Sequence, residues 1–493
     1  MIYKLLLTLI FLQSSIDKAF LNRERLGVLA MIYNKDTVDM ATKKTPNHPC
    51  VPIFGQSIAM YVNLVQWLKE TYLNYGSISE CKMLKLGKTY VCLGKEFFHS
   101  VLVDNHDKIS SKLGFQPIMG VFFKDSFPLT DGVEHTFQRK IFHQAFHPQH
   151  LKRYCELSNR IFHRFFSKYV ESSQMMVHSE LKRMVFANGI AMFLGIDDGI
   201  LSDKLNSAYT CLLNKGIYSL TDINLPGFPF YKAKKADNFI ENELNLWFEN
   251  NKKKMQNNLF NQILQSLDNG GEKSNRVMLG GFKFILFGMH DTLSSVLSFA
   301  FLYLSKNRDI QAQLTEFVSK NYGVDFFLKS NKVPDMLDCF FLETTRLSPP
   351  TQLITRFITE DIELNDFVLK KGKNLLLSPL FVHRHEEYWT KPNDFILDRF
   401  VDPNNIEAIN SAYFPFGFGE HQCIGKHVAR LTFRVIISNF LYHSQIENIS
   451  NHVKIKYLPF PFPRKFKVKI QKKTRSESEH HHFACPNHSN LER

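Results

Sequence analysis

The stretch FPFGFGEHQCIG, from Phe414 to Gly425, sets three glycines, one histidine and one cysteine into an aromatic run. It passes directly into KHVARLTFRVIISNFL, whose apolar residues recur at helical spacing. A helix start beside a cysteine matters chemically, because backbone N–H groups and the helix N-terminus favour thiolate over thiol. Phe416, Gly419, Cys423 and Gly425 fall on the pattern FxxGxxxCxG. Glycines there let the loop turn tightly and let the backbone approach something flat and bulky beside the sulfur. Taken alone, the stretch reads first as a glycine turn with a buried structural cysteine.

The whole-chain numbers narrow the setting. The chain has 493 residues, 44% hydrophobic and 22% charged, with 46 phenylalanines. That is a globular composition with an interior or pocket rich in rigid apolar surface. Eight scattered cysteines, without a CxxC pair, argue for a reducing compartment. The net charge of +14 is spread along the chain without a nucleic-acid recognition module, so no nucleic-acid partner is expected. A basic docking face for an acidic protein, contact with an anionic membrane, and a solvated surface all remain open.

Three divisions follow along the chain. Residues 1–44 hold two apolar patches, LLLTLIFL and LGVLAMIY, too short to span a bilayer; a signal peptide, a peripheral membrane contact and ordinary packing are the alternatives. The main body, 45–472, begins with the proline-rich connector TPNHPCVPIFG and one helix over SIAMYVNLVQWLKETYLNYG. A hairpin over CKMLKLGKTYVCLG follows, then helical patterns from about Glu96 to Thr345. Strand signals return in QLITRFITEDIELNDFVLKKG, and a last pair in VKIKYLPFPFPRKFKVKI. Residues 473–493 read as a disordered polar tail; His480, His481, His482, Cys485 and His488 fit no closed zinc spacing.

Other segments join the cysteine stretch. FLETTRLSPP sets Glu343 and Arg346 three residues apart on one helical face, a spacing at which they pair. KPNDFILDRF carries Pro392, Phe395, Arg399 and Phe400. The apolar helix FKFILFGMHDTLSSVLSFAFLYL is interrupted by Gly288, His290, Asp291 and Thr292, which makes a transmembrane reading expensive. DGVEHTFQRKIFHQAFHP supplies His135 and Arg139. In order and spacing these segments resemble the cytochrome P450 family of haem-thiolate monooxygenases, over about Thr45 to Lys472. GVEHTFQRKIFHQAF and the histidine before Asp291 resemble the branch of retinoic-acid hydroxylases and their bacterial relatives.

The resemblance implies a mainly α fold with small β-sheets, triangular in outline, with a long central helix over haem b. It implies Cys423 as the iron ligand, and Phe416, Gly419 and Gly425 shaping its loop. His135, Arg139, Arg356 and His421 would reach the propionates, His421 standing where arginine is more usual. Glu343, Arg346 and Arg399 would form a buried polar network bracing the haem pocket. GMHDT departs from the family pattern at Met289, where glycine is usual. Asp291 would relay protons and the Thr292 hydroxyl would act beside it on dioxygen. Phe115, Ile118, Phe122, Phe287, Met289 and Leu353 would line a pocket for a lipophilic substrate of fatty-acid, sterol or retinoid type. Electrons would come from a separate flavoprotein or ferredoxin meeting a face with Lys140, Lys426 and Arg430. A monomer at the cytosolic face of an endoplasmic-reticulum-type membrane is expected, a soluble cytoplasmic enzyme being the alternative. A peroxide-dependent isomerase or peroxygenase, or an inactive haem- or lipid-binding protein, would use the same fold.

Overall fold

The computed structural model describes residues 45–49, 54–217, 219, 222–252, 263, 272–329, 333–364 and 366–473. The expected membrane-contact segment over 1–44, Cys50 and the tail from 474 lie outside these residues.

A sheet forms the base of one side. Strands β1 (Ile78–Met83) and β2 (Gly87–Cys92) make the expected hairpin. It is extended by strands distant in sequence: β3 (Ile109–Ser110), β5 (Ile354–Ile358) and β8 (Asn374–Leu377) join in the order β1-β2-β8-β5-β3. β2 and β8 run parallel, the other pairs antiparallel. Between β5 and β8 lies the small hairpin of β6 (Ile362–Leu364) and β7 (Phe367–Leu369). The expected final pair is instead three strands, β10 (Lys454–Lys456), β11 (Phe462–Arg464) and β12 (Lys467–Lys472). β12 leaves its neighbours to lie between β4 (Gln174–Met176) and β9 (Ser444–Asn448).

The first expected helix is two, α1 (Ser57–Val62) and α2 (Leu64–Tyr75). Asn63 breaks the run at φ −152° and caps the second piece, its side chain accepting from the Gln66 N–H. The helical body then contains α3 (Ser111–Met119), α4 (Gly132–His143), α5 (Leu151–Ser172), α6 (Val177–Leu194), α7 (Gly199–Leu212) and α8 (Pro229–Lys252). The central helix α9 (272–306) comes next, with α10 (Arg308–Asn321), α11 (Met336–Leu347) and α12 (Lys426–His443) behind it. The second half of α6, Met184–Leu194, is buried almost all round, consistent with its near-continuous apolar sequence.

α9 is long and apolar enough to cross a membrane, but 89% of its most apolar stretch is buried inside the protein. Its phenylalanines explain why. Phe282, Phe284 and Phe287 meet Phe123, Phe127 and Phe142 in edge and tilted ring contacts, a rigid apolar joint between α9, the segment leading into α4 and the last turn of α4. Gly281 is needed at that joint, because a Cβ there would overlap the Phe142 ring.

Candidate active site

The cysteine loop lies between Tyr413 and the first turn of α12. Gly417 and Gly419 both adopt φ +71°, a backbone region that side chains disfavour. At Gly419 there is a second reason: a Cβ would stand 2.3 Å from the Leu102 carbonyl oxygen. The loop is closed by Cys423 N–H donating to Phe416 O at 2.8 Å and Gln422 N–H donating to Gly419 O at 3.0 Å. Gly425 caps α12. A Cβ on it would sit 3.3 Å from the Phe146 ring and 4.0 Å from the Cys423 sulfur, filling the cradle beside the thiol.

Cys423 is exposed to a cavity of about 500 Å³ while the surrounding protein encloses it elsewhere. Burial pushes its thiol up, offset in part by the Gly425 N–H and by the charges of Arg139 and Lys426. Around it converge four basic side chains. Arg139 donates to Gln422 O at 2.6 Å, and Arg356 to Thr355 O at 2.7 Å. Burial lowers Arg356 to about 10, with Asp131 opposing. His135 and His421 stack with centroids 3.8 Å apart. His421 is pushed down to about 2 by burial and then by Arg356, His135 and Arg139, so it is neutral at ordinary pH in the protein alone.

These residues fit an anionic flat cofactor with an iron centre. Among the described residues neither Arg139 nor Arg356 has an ion-pair partner, and the buried His135 Nε2 has no hydrogen-bond partner. A thiol, a glycine cradle and two arginines without a counter-charge on one cavity suit haem, whose carboxylates need such donors.

Glu343, Arg346 and Arg399, which the resemblance implies form one network, are in contact. Glu343 and Arg346 form a bidentate pair at 2.7 and 2.8 Å on α11, and Arg399 Nε reaches Glu343 Oε1 at 3.0 Å. All three are within 1% of complete burial. Their remaining donors go to backbone carbonyls: Arg346 to His383, Pro392 and Asp394, Arg399 to Thr390 and Lys391. Sequence reasoning missed His383, which no pattern distinguished. Its Nδ1 meets Arg346 O at 3.2 Å and its Nε2 accepts from the Phe414 N–H at 2.8 Å, tying the network to the cysteine loop.

On the opposite wall α9 contains a π-helical turn, Met289–Leu293. The Thr292 hydroxyl donates back to the Gly288 carbonyl, as the local sequence implies, and Thr292 lines the cavity. Asp291 does not. It is buried, with Lys182 Nζ on one oxygen at 2.5 Å and His290 Nδ1 on the other at 2.8 Å. Burial pushes the Asp291 carboxyl up, but Lys182 and His290 outweigh it and hold the group well below the usual range. Lys182, on α6, was not foreseen; nothing in its sequence context marks it. Met289 lines the cavity, yet its sulfur packs toward Gly189 on α6, 3.3 Å from where a Cβ would stand.

Phe115, Ile118, Phe287 and Leu353 also line the cavity. Phe122 does not: it is 3% exposed and packs on Phe230, against Gly216, in the core behind the wall. α3 ends at Met119 and the chain turns, carrying Phe122 inward. On the outer face Lys140 is exposed and Lys426 half-buried, but Arg430 is engaged by Asp338, with Nε to Oδ1 at 2.6 Å, and is not a free docking charge.

Comparison with known proteins agrees with this geometry. The sequence profile described as Cytochrome P450 matches residues 44–465. A beta-amyrin 28-monooxygenase from Solanum lycopersicum is 30% identical over 334 residues, covering 64% of this chain and 68% of that protein. Cytochrome P450 26A1 from Danio rerio is 22% identical over 448 residues, covering 86% and 89%. Among solved structures, the one titled "Retinoic acid bound cyanobacterial CYP120A1" superposes with a TM-score of 0.77 at 20% identity, covering 88% of this chain and 100% of that one. A loop built around one thiol, a profile match over most of the chain and a shared fold converge: this oxidoreductase belongs to the cytochrome P450 family.

Proposed function

We propose that this protein is a haem b monooxygenase that hydroxylates a lipophilic substrate of fatty-acid, sterol or retinoid type, using O2 and electrons from a separate flavoprotein reductase or ferredoxin. The observation that carries the reading is the cavity itself, with Cys423 and its basic neighbours at one end and a wall of large apolar side chains beyond. Such a pocket removes apolar surface from water with few polar demands. Names of related proteins support the class: a beta-amyrin monooxygenase, and a retinoic-acid-bound structure of the same fold.

With haem bound, a Cys423 thiolate supplies electron density to the iron and favours O–O cleavage. The chain's own residues do the rest. Arg139, Arg356 and His135 would hold the haem carboxylates. Thr292 lines the cavity at the π-helical turn of α9 with its hydroxyl proton given to the Gly288 carbonyl, which leaves the oxygen able to accept from a proton donor. Asp291 carries its charge between Lys182 Nζ and His290 Nδ1, so proton movement toward Thr292 requires one of those partners to release it. The retained acid and threonine favour the reductase-dependent reaction over a peroxide-dependent one.

The test is the ferrous carbon-monoxide difference spectrum of the wild type beside Cys423→Ser, followed by a lipid screen with a surrogate reductase. A red-shifted Soret band in the wild type alone, and a hydroxylated lipid product, are expected. An unshifted band would sink the reading; product from hydroperoxide without a reductase would favour a peroxygenase. The reading extends to a monomer at an anionic membrane surface, supported by the apolar patches in 1–44 and the basic balance of the chain. Flotation of the full chain with phosphatidylserine vesicles checks that part.

A further inference from the structure

Charge is laid out along the cavity in a way that carries information about its ligand. Among the described residues three lysine or arginine side chains line it: Lys85, Arg139 and Arg356. The two arginines belong to the Cys423 end, Arg139 through Gln422 O and Arg356 through its position beside His421. Lys85 belongs to the turn between β1 and β2.

The sheet register measures how far apart these ends are. Arg356 pairs with Leu375, Leu375 with Tyr90, and Tyr90 with Glu80. Three strand spacings of ~4.8 Å, and five residues of ~3.3 Å along the hairpin, separate Lys85 from Arg356 by roughly 20 Å. Between the two ends the wall is apolar, with Phe115, Ile118, Phe287, Met289, Leu353 and Phe460.

At the far end Lys85 Nζ meets Asp222 Oδ1 at 2.9 Å, with the lysine side chain 20% and the aspartate 47% exposed. That pair joins the β1–β2 turn to the segment between α7 and α8. An ion pair this open to solvent contributes little, so a second carboxylate displaces Asp222 at small cost. An ammonium also has three N–H donors, and among the described residues Asp222 is the one carboxylate it meets. Nearby, Ser57 Oγ is occupied, accepting from the Leu84 N–H at 2.8 Å and contacting Met83 Sδ at 3.7 Å.

We propose that the substrate is a long-chain carboxylic acid whose carboxylate docks on Lys85, taking the place of Asp222, while its apolar body runs down the cavity toward Cys423. Within the lipophilic class this selects acids over neutral sterols and alcohols, and it presents to the haem end a carbon remote from the carboxylate. The inference rests on the lipophilic-substrate reading above. The shared chemistry fits both straight-chain fatty acids and retinoid acids.

The test is titration of the haem-loaded protein, read by the Soret shift and by calorimetry, with two matched sets. One is palmitic acid, 1-hexadecanol and methyl palmitate; the other is retinoic acid, retinol and methyl retinoate. At least one acid is expected to bind about tenfold or more tightly than its own alcohol and ester, the scale of a charged hydrogen bond. Lys85→Gln should abolish that preference while leaving alcohol and ester binding in place, Lys85→Arg should keep it, and Asp222→Asn should tighten the acid. The set that responds identifies the source. Equal binding of acid and ester, or an acid preference that survives Lys85→Gln, overturns the proposal while leaving the lipophilic reading standing. No binding by any of the six, in protein with an intact carbon-monoxide spectrum, overturns both.

Discussion

The imidazole of His383 joins two parts of the active site that are 68 residues apart along the chain, Arg346 and Phe414: Nε2 accepts the Phe414 N–H at 2.8 Å, while Nδ1 faces the Arg346 carbonyl. Nε2 can accept only while the ring is neutral. Burial, and then the Arg346 charge, push the group from 6.5 down to about 3. The sign follows. Above about pH 6.5 the folded and unfolded chains are both neutral here; below it the unfolded chain takes up a proton that the folded chain refuses. Stability therefore falls as pH drops from about 6.5 toward about 3. His383→Gln should lower stability at pH 7.5 by about 1–3 kcal/mol through the altered hydrogen bonds. It should also flatten the slope between pH 6.5 and 5 by up to ~1.4 kcal/mol per pH unit. Urea unfolding at several pH values measures both.

Glu343 holds Arg346 and Arg399 together with no solvent to share the load. Glu343→Gln leaves two buried guanidinium groups without a counter-charge, which is worth about 3–5 kcal/mol of destabilisation. Little soluble haem-loaded protein should be recovered at 37 °C. Urea unfolding with recovery at 15 °C and 37 °C checks this; wild-type stability in the variant would mean that the pair braces nothing.

Lys182 sets the charge state of Asp291. With Lys182→Met, burial is left to push the Asp291 carboxyl up, opposed by His290 alone; Asn206 and His178 are the other polar neighbours of the group. The acidic limb of the rate-against-pH curve should therefore move to higher pH. Stability should also fall by about 3–5 kcal/mol at neutral pH, the usual cost of a buried charge that loses its partner. Asp291→Asn should lower turnover about 100-fold with its pH dependence flattened. A pH profile for Lys182→Met that overlays the wild type would remove Asp291 from proton delivery.

Met289 and Gly189 form a complementary pair across α9 and α6. A methyl group at Gly189 would stand 3.3 Å from the methionine sulfur, a contact that the flexible side chain relieves by moving toward the cavity. Gly189→Ala should cost about 1–3 kcal/mol from overpacking and weaken binding of the bulkiest ligands. Met289→Gly in the same background should restore their binding. Spectral titration of retinoic acid in the single and double variants checks the pair.

Much of the site was legible because its chemistry dictates residue types at fixed local spacing. Glu343 and Arg346 pair within one helical turn, Gly419 and Gly425 surround one cysteine, and Thr292 bonds back to Gly288 within its own helix. Each of these relationships spans a few residues. The hairpin β1–β2 was legible for the same reason, its turn being three residues, Leu84 to Leu86. What failed to show were partners drawn from elsewhere. Lys182 stands 109 residues before Asp291, and His383 joins a carbonyl on α11 to an amide of the cysteine loop. Asn63 split a helix that periodicity alone joined, since its side chain competes with the backbone for the next turn's N–H.

The amino-acid sequence determined on its own that one thiol would sit in a glycine loop at a helix start, that an acid and an arginine would pair within one helical turn upstream, and that a long apolar helix would carry an acid and a threonine. Those features are set by bonding and sterics over a few residues. Only the tertiary structure decided which charges neutralise one another and which side chains reach the cavity. It turned Phe122 into the core, gave Arg430 to Asp338, locked Asp291 between Lys182 and His290, and set Lys85 at the mouth opposite Asp222. Coulombic pairing and burial depend on distances between segments far apart in the chain, and those distances exist only once the helices have packed.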